Sequence, residues 1–263
     1  MDPSTDSHYW DTVGTAWQGQ GRQTLWRAHS DAINAAWLAG RLPMQPVARL
    51  LKTDLFDEAL ATGLYPLLSV RARSVFGVDI SVSTLQAASA RYPGLHSTQA
   101  DVRSLPFADS TFDSVVSNST LDHFASTADI VAGLVELSRV LRPAGYLLLT
   151  LDNLANPVVA VRNVLPFRLL NRLGLVPYSI GAACGPRRLQ RFVRQTGFEV
   201  QEVGAIMHCP RVFGVAAARI VERYRSPQAR RRFLQCLMPF ERLASWRTRF
   251  RTGYFIAIVA RKS

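Results

Sequence analysis

The chain has 263 residues, of which 48% are hydrophobic and 19% are charged, and its formal net charge at pH 7 is +12. A chain of this length and composition can bury a full hydrophobic core, which excludes a largely disordered protein. No apolar run reaches the roughly 18–20 residues of a spanning helix, and the first ten residues do not resemble a signal peptide, so we expect a soluble, cytoplasmic protein.

The cysteines and the charge distribution exclude further classes. Cys184, Cys209 and Cys236 are an odd number, widely spaced and without a CxxC pair, so neither a disulfide framework nor a metal site is predicted. The basic excess lies in the C-terminal half, where it indicates either a solvated surface or contact with a membrane surface. Nucleic acid is a less favoured partner, because no zinc-finger spacing or RNA-binding signature accompanies the charge.

An N-terminal helical segment is predicted over residues 1–45. In "RQTLWRAHSDAINAAWLAGRLP", Trp26, Ile33 and Trp37 recur at mostly helical spacings, and Gly40 with Pro43 ends the pattern. The tryptophans of this segment either cover a site as an apolar lid or simply pack the helix against the rest of the protein.

From residue 46 to about residue 155, short apolar runs alternate with helical stretches. The predicted strands are "VARLLKT", "SVFGVDI", "GLHSTQAD", "FDSVVSNS" and "GYLLLTLD". The predicted helices between them are "LFDEALATGLYPLL", "SVSTLQAASARYP" and "STADIVAGLVELSRVLRP". This alternation predicts an α/β fold with a doubly wound, mostly parallel sheet.

Residues 156–263 are less regular but compatible with completion of the same sheet. "PVVAVRNVLPFRLLNRLG" and "GPRRLQRFVRQTG" are helix-like, while "FEVQEVGAIM" and "GYFIAIVAR" are strand-like. Between the last two lies a basic helical insertion, at about residues 207–250. We therefore predict a single domain with an N-terminal helical cap, a core at 46–155 and a C-terminal part that faces a substrate.

Acidic residues end two neighbouring predicted strands. Asp79 ends the second strand and Asp101 ends the third, which is the edge where open parallel sheets bind ligands. A carboxylate in the position of Asp79 can accept from both hydroxyls of a ribose, and one in the position of Asp101 can accept from an exocyclic amine.

The stretch "GVDIS…LQAASARYPGLHSTQADVRSLPFADSTFDSVVSN…LSRVLRPAGYLLLT" resembles the class I S-adenosylmethionine-dependent methyltransferases. Small-molecule members of that family share the pattern D-hydrophobic-S…D…LPF-x-(D/S)-x-(S/T)-FD…LRP-x-G. The resemblance runs in order over about residues 74–151, and it implies a seven-stranded sheet whose last strand is antiparallel. The contacts to S-adenosylmethionine that it implies are Asp79 with the ribose hydroxyls, Ile80 beside the adenine, Asp101 with the adenine amine, Val102 adjacent to it, and Asn118 and Thr120 near the methionine part and the methyl group.

The first motif departs from that family. Where an acidic residue and alternating glycines are expected, this chain has Lys52, then Asp54, Phe56 and Glu58. One interpretation is that Lys52 or Thr53 binds the carboxylate of the cofactor, and that Asp54, Asp57 or Glu58 binds its ammonium group. The other is purely structural, with Thr53 or Asp54 capping a helix and Lys52 ending a strand in solvent. Loss of cofactor binding is a third alternative.

The predicted catalytic pair is His123 with Asp122, placed after the fourth strand near the expected position of the methyl group. A general base is needed only if the acceptor must lose a proton. His29 and His208 are weaker candidates, and each histidine can instead be a packed structural residue. Tyr178 and Arg211 are possible substrate contacts.

We therefore predict methyl transfer from S-adenosylmethionine to a small-molecule or lipid-like acceptor. The basic C-terminal insertion gives a possible membrane-surface contact. Two alternatives remain open. One is that the protein is a noncatalytic methyltransferase-like binding protein, which the altered first motif favours. The other is that it methylates nucleic acid. The charge alone suggests this second alternative, and the lack of an NPPY-type motif disfavours it.

Overall fold

The computed structural model describes residues 3–18, 23–172, 176, 178–179, 181–224 and 226–263, with side chains from residue 7 onward. The strands are β1 (Val47–Thr53), β2 (Ala72–Asp79), β3 (Leu95–Gln99), β4 (Phe112–Asn118), β5 (Leu141–Asp152), β6 (Phe198–Ile206) and β7 (Phe255–Lys262). The α-helices are α1 (Pro3–Gln18), α2 (Thr24–Ala39), α3 (Phe56–Leu60), α4 (Tyr65–Arg71), α5 (Val82–Arg91), α6 (Thr127–Val140), α7 (Pro157–Val164), α8 (Phe167–Arg172), α9 (Pro186–Gln195), α10 (Arg211–Arg223), α11 (Pro227–Leu237) and α12 (Arg249–Thr252), with 3₁₀ helices at Leu121–His123 and Met238–Ser245.

The strands form one seven-stranded sheet in the order β3-β2-β1-β4-β5-β7-β6. Strands β1 to β5 pair in parallel, while β7 is antiparallel to both β5 and β6. The strand order reverses between β1 and β4, so a crevice opens there at the carboxyl ends of the strands. The predicted fold class, including the antiparallel last strand, is confirmed.

The core lies on both faces of the sheet. One buried cluster joins α2 to β1 and β2 through residues such as Trp26, Trp37 and Leu50, and the other packs α6 and α9 against the opposite face. No helix in the described ranges is long and apolar enough to cross a membrane.

Two helices that the sequence predicted as continuous are interrupted. The stretch after β1 divides into α3 and α4 because Gly63 between them adopts a left-handed conformation, with φ of 58°. The stretch after β5 divides into α7 and α8 at Pro166, whose ring cannot continue a helix. The end of the second predicted helix, at residues 173 and 174, lies outside the described residues.

The helix α1 docks on the amino end of α5. Asp11 accepts hydrogen bonds from the Ser81 hydroxyl at 2.7 Å and from the Ser83 N–H at 3.1 Å. Gly14 allows this close approach, since a Cβ there would lie 2.7 Å from the Thr84 hydroxyl oxygen. This contact places α1 across the end of β2, beside Asp79.

Candidate functional site

Two cavities meet at the carboxyl edge of the sheet. The strand-end cavity, of about 590 Å³, is bordered by residues that follow β1, β2, β3 and β4. The helical cavity, of about 550 Å³, lies between α7 and α10. Both are bordered by His123, Tyr178, Ser179 and Gly181, so these four residues form the boundary between them.

Asp79 borders the strand-end cavity and is held from behind by backbone groups. Its two carboxylate oxygens accept from the N–H groups of Leu55 and Ser81, each at 2.8 Å. Burial and the neighbouring Asp54 carboxylate raise the pKa of Asp79 to about 7. The carboxylate is therefore oriented, and it is ready to be ionised by a ligand that brings hydroxyl donors or positive charge.

Asp101 borders the same cavity but already has a cationic partner. Arg103 binds it through two guanidinium nitrogens, the shortest contact being 2.6 Å, and Arg103 also contacts Asp129 at 3.2 Å. The Arg103 guanidinium lies over the Phe124 ring. A ligand amine at Asp101 therefore meets a carboxylate fixed in place by a charge-assisted pair.

The first-motif loop contains a buried ion pair. The Lys52 ammonium lies 2.8 Å from the Glu58 carboxylate, and their side chains are 3% and 0% exposed. Glu58 also accepts from the Leu64 N–H at 2.8 Å, and Lys52 donates to the Asp54 carbonyl oxygen. The interpretation of Lys52 as a strand end in solvent is wrong, because Glu58 provides the partner that lets it be buried.

Two members of this loop, Phe56 and Asp54, border the cavity, and the acidic one is Asp54. Its φ is 65°, which is the left-handed conformation that glycine usually provides and that aspartate tolerates better than most residues. Its carboxylate accepts from the Phe56 N–H at 2.8 Å, and burial raises its pKa. The backbone turn of a glycine-rich loop is thus retained at a residue with a charged side chain.

The N-terminal helix α2 fixes the outer side of the same loop. Arg27 pairs with Asp57 at 2.8 Å, and Asp31 accepts from the Gly63 N–H at 3.0 Å. The Arg27 guanidinium also lies 4.8 Å from the ring centres of both Trp17 and Phe56. The loop is therefore fixed by packing between elements that are distant in the sequence.

The N-terminal tryptophans include both predicted kinds of residue: one covers a cavity, and others pack in the core. Trp10 borders the strand-end cavity and makes edge contacts with His123 and Tyr178. Trp26 and Trp37 are buried in the core, at 5% and 8% exposed. The helix α1 thus covers the cavity, whereas α2 mainly packs against the protein.

His123 lies at the boundary of the two cavities, whereas its neighbour Asp122 borders the helical cavity and not the strand-end cavity. Asp122 is buried and accepts from the Ser119 hydroxyl at 2.8 Å through Oδ2, whereas its Oδ1 has no hydrogen-bond partner within the described residues. Burial and the nearby Asp152 raise the pKa of Asp122 to about 6. Gly181 packs so closely that a Cβ would overlap the Asp122 carbonyl oxygen and the His123 backbone.

The helical cavity combines an apolar lining with three arginines, Arg162, Arg211 and Arg219. Arg162 pairs with Asp152 and donates to the Tyr254 hydroxyl, while the Arg211 guanidinium lies 4.8 Å from the Tyr254 ring centre. Most of the apolar lining comes from α7, α8, α10 and the residue that follows α7: Pro157, Val158, Val161, Leu165, Leu170, Val212, Val215 and Ala216. The cavity is suited to a largely apolar molecule with a polar or anionic group.

The other histidine candidates are structural. His208 is buried, with Nδ1 2.8 Å from the Thr252 hydroxyl and Nε2 3.0 Å from the Ala205 carbonyl oxygen. His29 is fully buried against Trp26, and burial lowers its pKa to about 4. Neither borders either cavity.

The structure brings most of the predicted contact residues to the strand-end cavity: Asp54, Asp79, Ile80, Asp101, Val102, Thr120 and His123. It places Lys52, Thr53, Glu58 and Asn118 behind the lining. Thr53 bonds to the Thr120 hydroxyl at 2.7 Å, and Asn118 accepts from Thr150 at 2.9 Å. A direct contact of these four with a cofactor stays a prediction.

Sequence reasoning missed several functional features of the site. The pairing of Arg103 with Asp101 is a local signal, two residues apart, that could have been read. The approach of Gly181 to His123 and the pairing of Arg162 with Asp152 depend on the tertiary fold.

Residues 56–149 match a family model described as a methyltransferase domain. A demethylmenaquinone methyltransferase from Corynebacterium kroppenstedtii is 33% identical over 153 residues, which are 58% of this chain and 58% of that relative. The match to this curated relative therefore spans less than two thirds of its length.

Solved structures share the fold at low identity. A geranyl diphosphate C-methyltransferase from Streptomyces coelicolor, solved with Mg²⁺, geranyl diphosphate and S-adenosyl-L-homocysteine, has a TM-score of 0.56 and 14% identity, covering 88% of this chain and 77% of the other. The [4+2]-cyclase SpnF has a TM-score of 0.57 and 19% identity, with coverage of 87% and 79%. Methyltransferases and a cyclase thus share this fold, so the fold alone does not fix the reaction. Residues 56–149 thus match a methyltransferase domain, and the strand order and the solved structures show that the chain has the fold of the class I S-adenosylmethionine-dependent methyltransferases.

Proposed function

We propose that this protein transfers a methyl group from S-adenosylmethionine to a small-molecule or lipid-like acceptor. The observation that carries the proposal is that the strand-end cavity and the helical cavity meet at His123 and Tyr178. A cofactor in the first cavity and an acceptor in the second would face each other across this boundary, as direct transfer requires.

The residues of the strand-end cavity fit the cofactor. Asp79 offers an oriented carboxylate to ribose hydroxyls, and Ile80, Val102 and Phe124 offer apolar surface to the adenine. Asp54 is a carboxylate for the ammonium group. Because Asp54 and Asp79 repel each other when both are ionised, a ligand with positive charge relieves an unfavourable interaction in the free protein.

The first-motif loop binds differently from a glycine-rich loop. The Leu55 and Phe56 N–H groups already donate to Asp79 and Asp54, so they are engaged within the protein. The Lys52–Glu58 pair neutralises two further charges. We infer that Lys52 and Glu58 hold the loop in shape and that Asp54 is its direct contact with the cofactor.

When bound, S-adenosylmethionine supplies an electrophilic methyl group on a sulfonium centre. The protein contributes alignment and exclusion of water, through Trp10 and Tyr178 on the open side of the cavity. His123 borders both cavities and is the group we assign to take a proton from the acceptor. The Oδ1 atom of Asp122, which has no partner within the described residues, can accept a second hydrogen bond from the molecule that is methylated.

Relatives suggest the first acceptors to test. The curated relative is named for demethylmenaquinone, and a structural neighbour was solved with geranyl diphosphate; both molecules pair an apolar chain with a polar head. The apolar lining and the arginines of the helical cavity are compatible with that chemistry.

Titration calorimetry with S-adenosylmethionine tests the first part of the proposal. We expect binding with the wild-type protein, and the absence of binding at millimolar cofactor would reject methyl transfer. That result would favour a noncatalytic binding protein, the alternative that the engaged loop amides and the Lys52–Glu58 pair support.

Formation of S-adenosyl-L-homocysteine tests the second part, with demethylmenaquinol and geranyl diphosphate as acceptors. We expect His123→Ala to lower kcat by about 10²–10⁴-fold for an acceptor that must lose a proton, with cofactor affinity little changed. His96→Ala is the matched control, since His96 stacks on Phe76 away from both cavities. Equal loss in both variants would contradict the role of His123.

A further inference from the structure

The mouth of the helical cavity is surrounded by exposed apolar side chains. Val164 on α7 is 84% exposed and Phe213 on α10 is 77% exposed. Further apolar side chains on these helices, on α8 and just after α7 are at least a third exposed, namely Val158, Val161, Leu165, Leu169, Val212 and Ile220. Such a concentration of exposed apolar side chains is unusual on a soluble surface and marks an interaction site.

This apolar surface is continuous with the interior of the cavity. Val158, Val161, Leu165 and Val212 are exposed to solvent and also line the helical cavity. We call the exposed side of α7, α8 and α10 the apolar rim. A molecule that lay on the apolar rim would therefore meet side chains that also line the cavity.

Exposed arginines flank the apolar rim and lack matching acids on the same helices. The sequences of α7, α8 and α10 contain six arginines and one acidic residue, Glu222. Glu222 is engaged by α2, accepting from the Leu25 N–H at 2.7 Å and from the Thr24 hydroxyl at 2.9 Å. The exposed arginines of these helices are Arg168, Arg172, Arg219 and Arg223.

We propose that the apolar rim docks on an anionic lipid surface, from which the acceptor enters the helical cavity. Entry of the acceptor into the helical cavity rests on the proposed function, whereas the docking does not. Apolar side chains among exposed arginines are the composition of interfacial membrane-binding helices. Two copies of this face would bring arginines against arginines, so the charge favours a negatively charged lipid surface over self-association.

Vesicle flotation with the full chain tests the docking, without cofactor. We expect binding to vesicles of phosphatidylcholine with phosphatidylglycerol, and much weaker binding to phosphatidylcholine alone. Val164→Ser/Phe213→Ser should lower the partition coefficient by about tenfold or more, since both side chains would lose apolar burial. Val70→Ser/Val135→Ser is the matched control, because these valines are 64% and 50% exposed on α4 and α6.

The arginines are tested separately. Arg168→Gln/Arg223→Gln should lower binding to the anionic vesicles by about tenfold or more, because two cations that are attracted to the negative surface are removed, and should flatten its salt dependence. Neither residue borders a cavity, so cofactor affinity measured by calorimetry should not change.

Three results would overturn the docking proposal. They are absence of vesicle binding, equal losses in the rim and control variants, and a wild-type dimer by light scattering that Val164→Ser/Phe213→Ser dissociates. Failure of the proposed function has a different signature, namely intact vesicle binding with no binding of S-adenosylmethionine.

Discussion

The buried Lys52–Glu58 pair makes a strong prediction about stability. Lys52→Met removes the cation and leaves the fully buried Glu58 carboxylate with the Leu64 N–H as its one remaining donor among the described residues. Glu58→Gln removes the negative charge but keeps an oxygen for the Leu64 N–H. Lys52 then keeps its bond to the Asp54 carbonyl oxygen but loses its counter-charge.

The expected magnitude follows from the burial of both side chains. Removal of one partner of a buried pair leaves an uncompensated charge and costs about 3–5 kcal/mol, so each single variant should lose that much unfolding free energy. The double variant Lys52→Met/Glu58→Gln should lose clearly less than the sum of the two. We expect a coupling energy of at least about 2 kcal/mol.

Urea unfolding, followed by tryptophan fluorescence, gives the free energies of unfolding of the wild-type protein, the two single variants and the double variant. The surface pair Arg41–Glu202 is the matched control, since its side chains are 30% and 46% exposed, and its coupling should be about 0–1 kcal/mol. A near-zero coupling for Lys52 and Glu58 would refute the structural role. So would a Lys52→Met protein of unchanged stability that binds S-adenosylmethionine poorly, because Lys52 would then contact the cofactor directly.

Other variants test the remaining features of the site. Because burial and Asp54 raise the pKa of Asp79 to about 7, affinity for S-adenosylmethionine, measured by calorimetry, should rise as the pH rises through about 7; Asp79→Asn should weaken binding about tenfold or more and flatten this profile. The stability of the cofactor-free protein has the opposite trend. Burial raises the folded-state pKa of Asp31, like that of Asp79, from 3.8 to about 7, so their contribution is present below the ordinary value and is lost as the pH rises to about 7. Thermal melts should therefore show a higher Tm at mildly acidic than at alkaline pH, and Asp31→Asn should reduce the difference. Gly181→Ala should lower unfolding stability by about 1–3 kcal/mol and reduce kcat by displacing His123, whereas Gly185→Ala, which meets no atom, should do neither.

The sequence by itself determined the fold class and one side of the site. The alternation of strands and helices is local, and an acid at or near a strand end can be recognised within a few residues: Asp79 ends β2, and Asp101 follows the end of β3 by two residues rather than ending the strand as predicted. The family motifs around them are contiguous, so their order and spacing survive in the sequence. The same local information placed Asp54 in the loop after β1, which borders the strand-end cavity.

Only the tertiary structure decided how that loop and the acceptor side are built. Lys52 and Glu58 are buried because α2 covers their loop through Arg27 and Asp31, a contact between segments that no periodic pattern links. The helical cavity exists because α7 and α10, about fifty residues apart in the chain, line one space. Sequence patterns record which face of an element is apolar, but the choice of partner for that face depends on packing among distant elements, and here that packing buried the first motif's charges and left the apolar rim exposed.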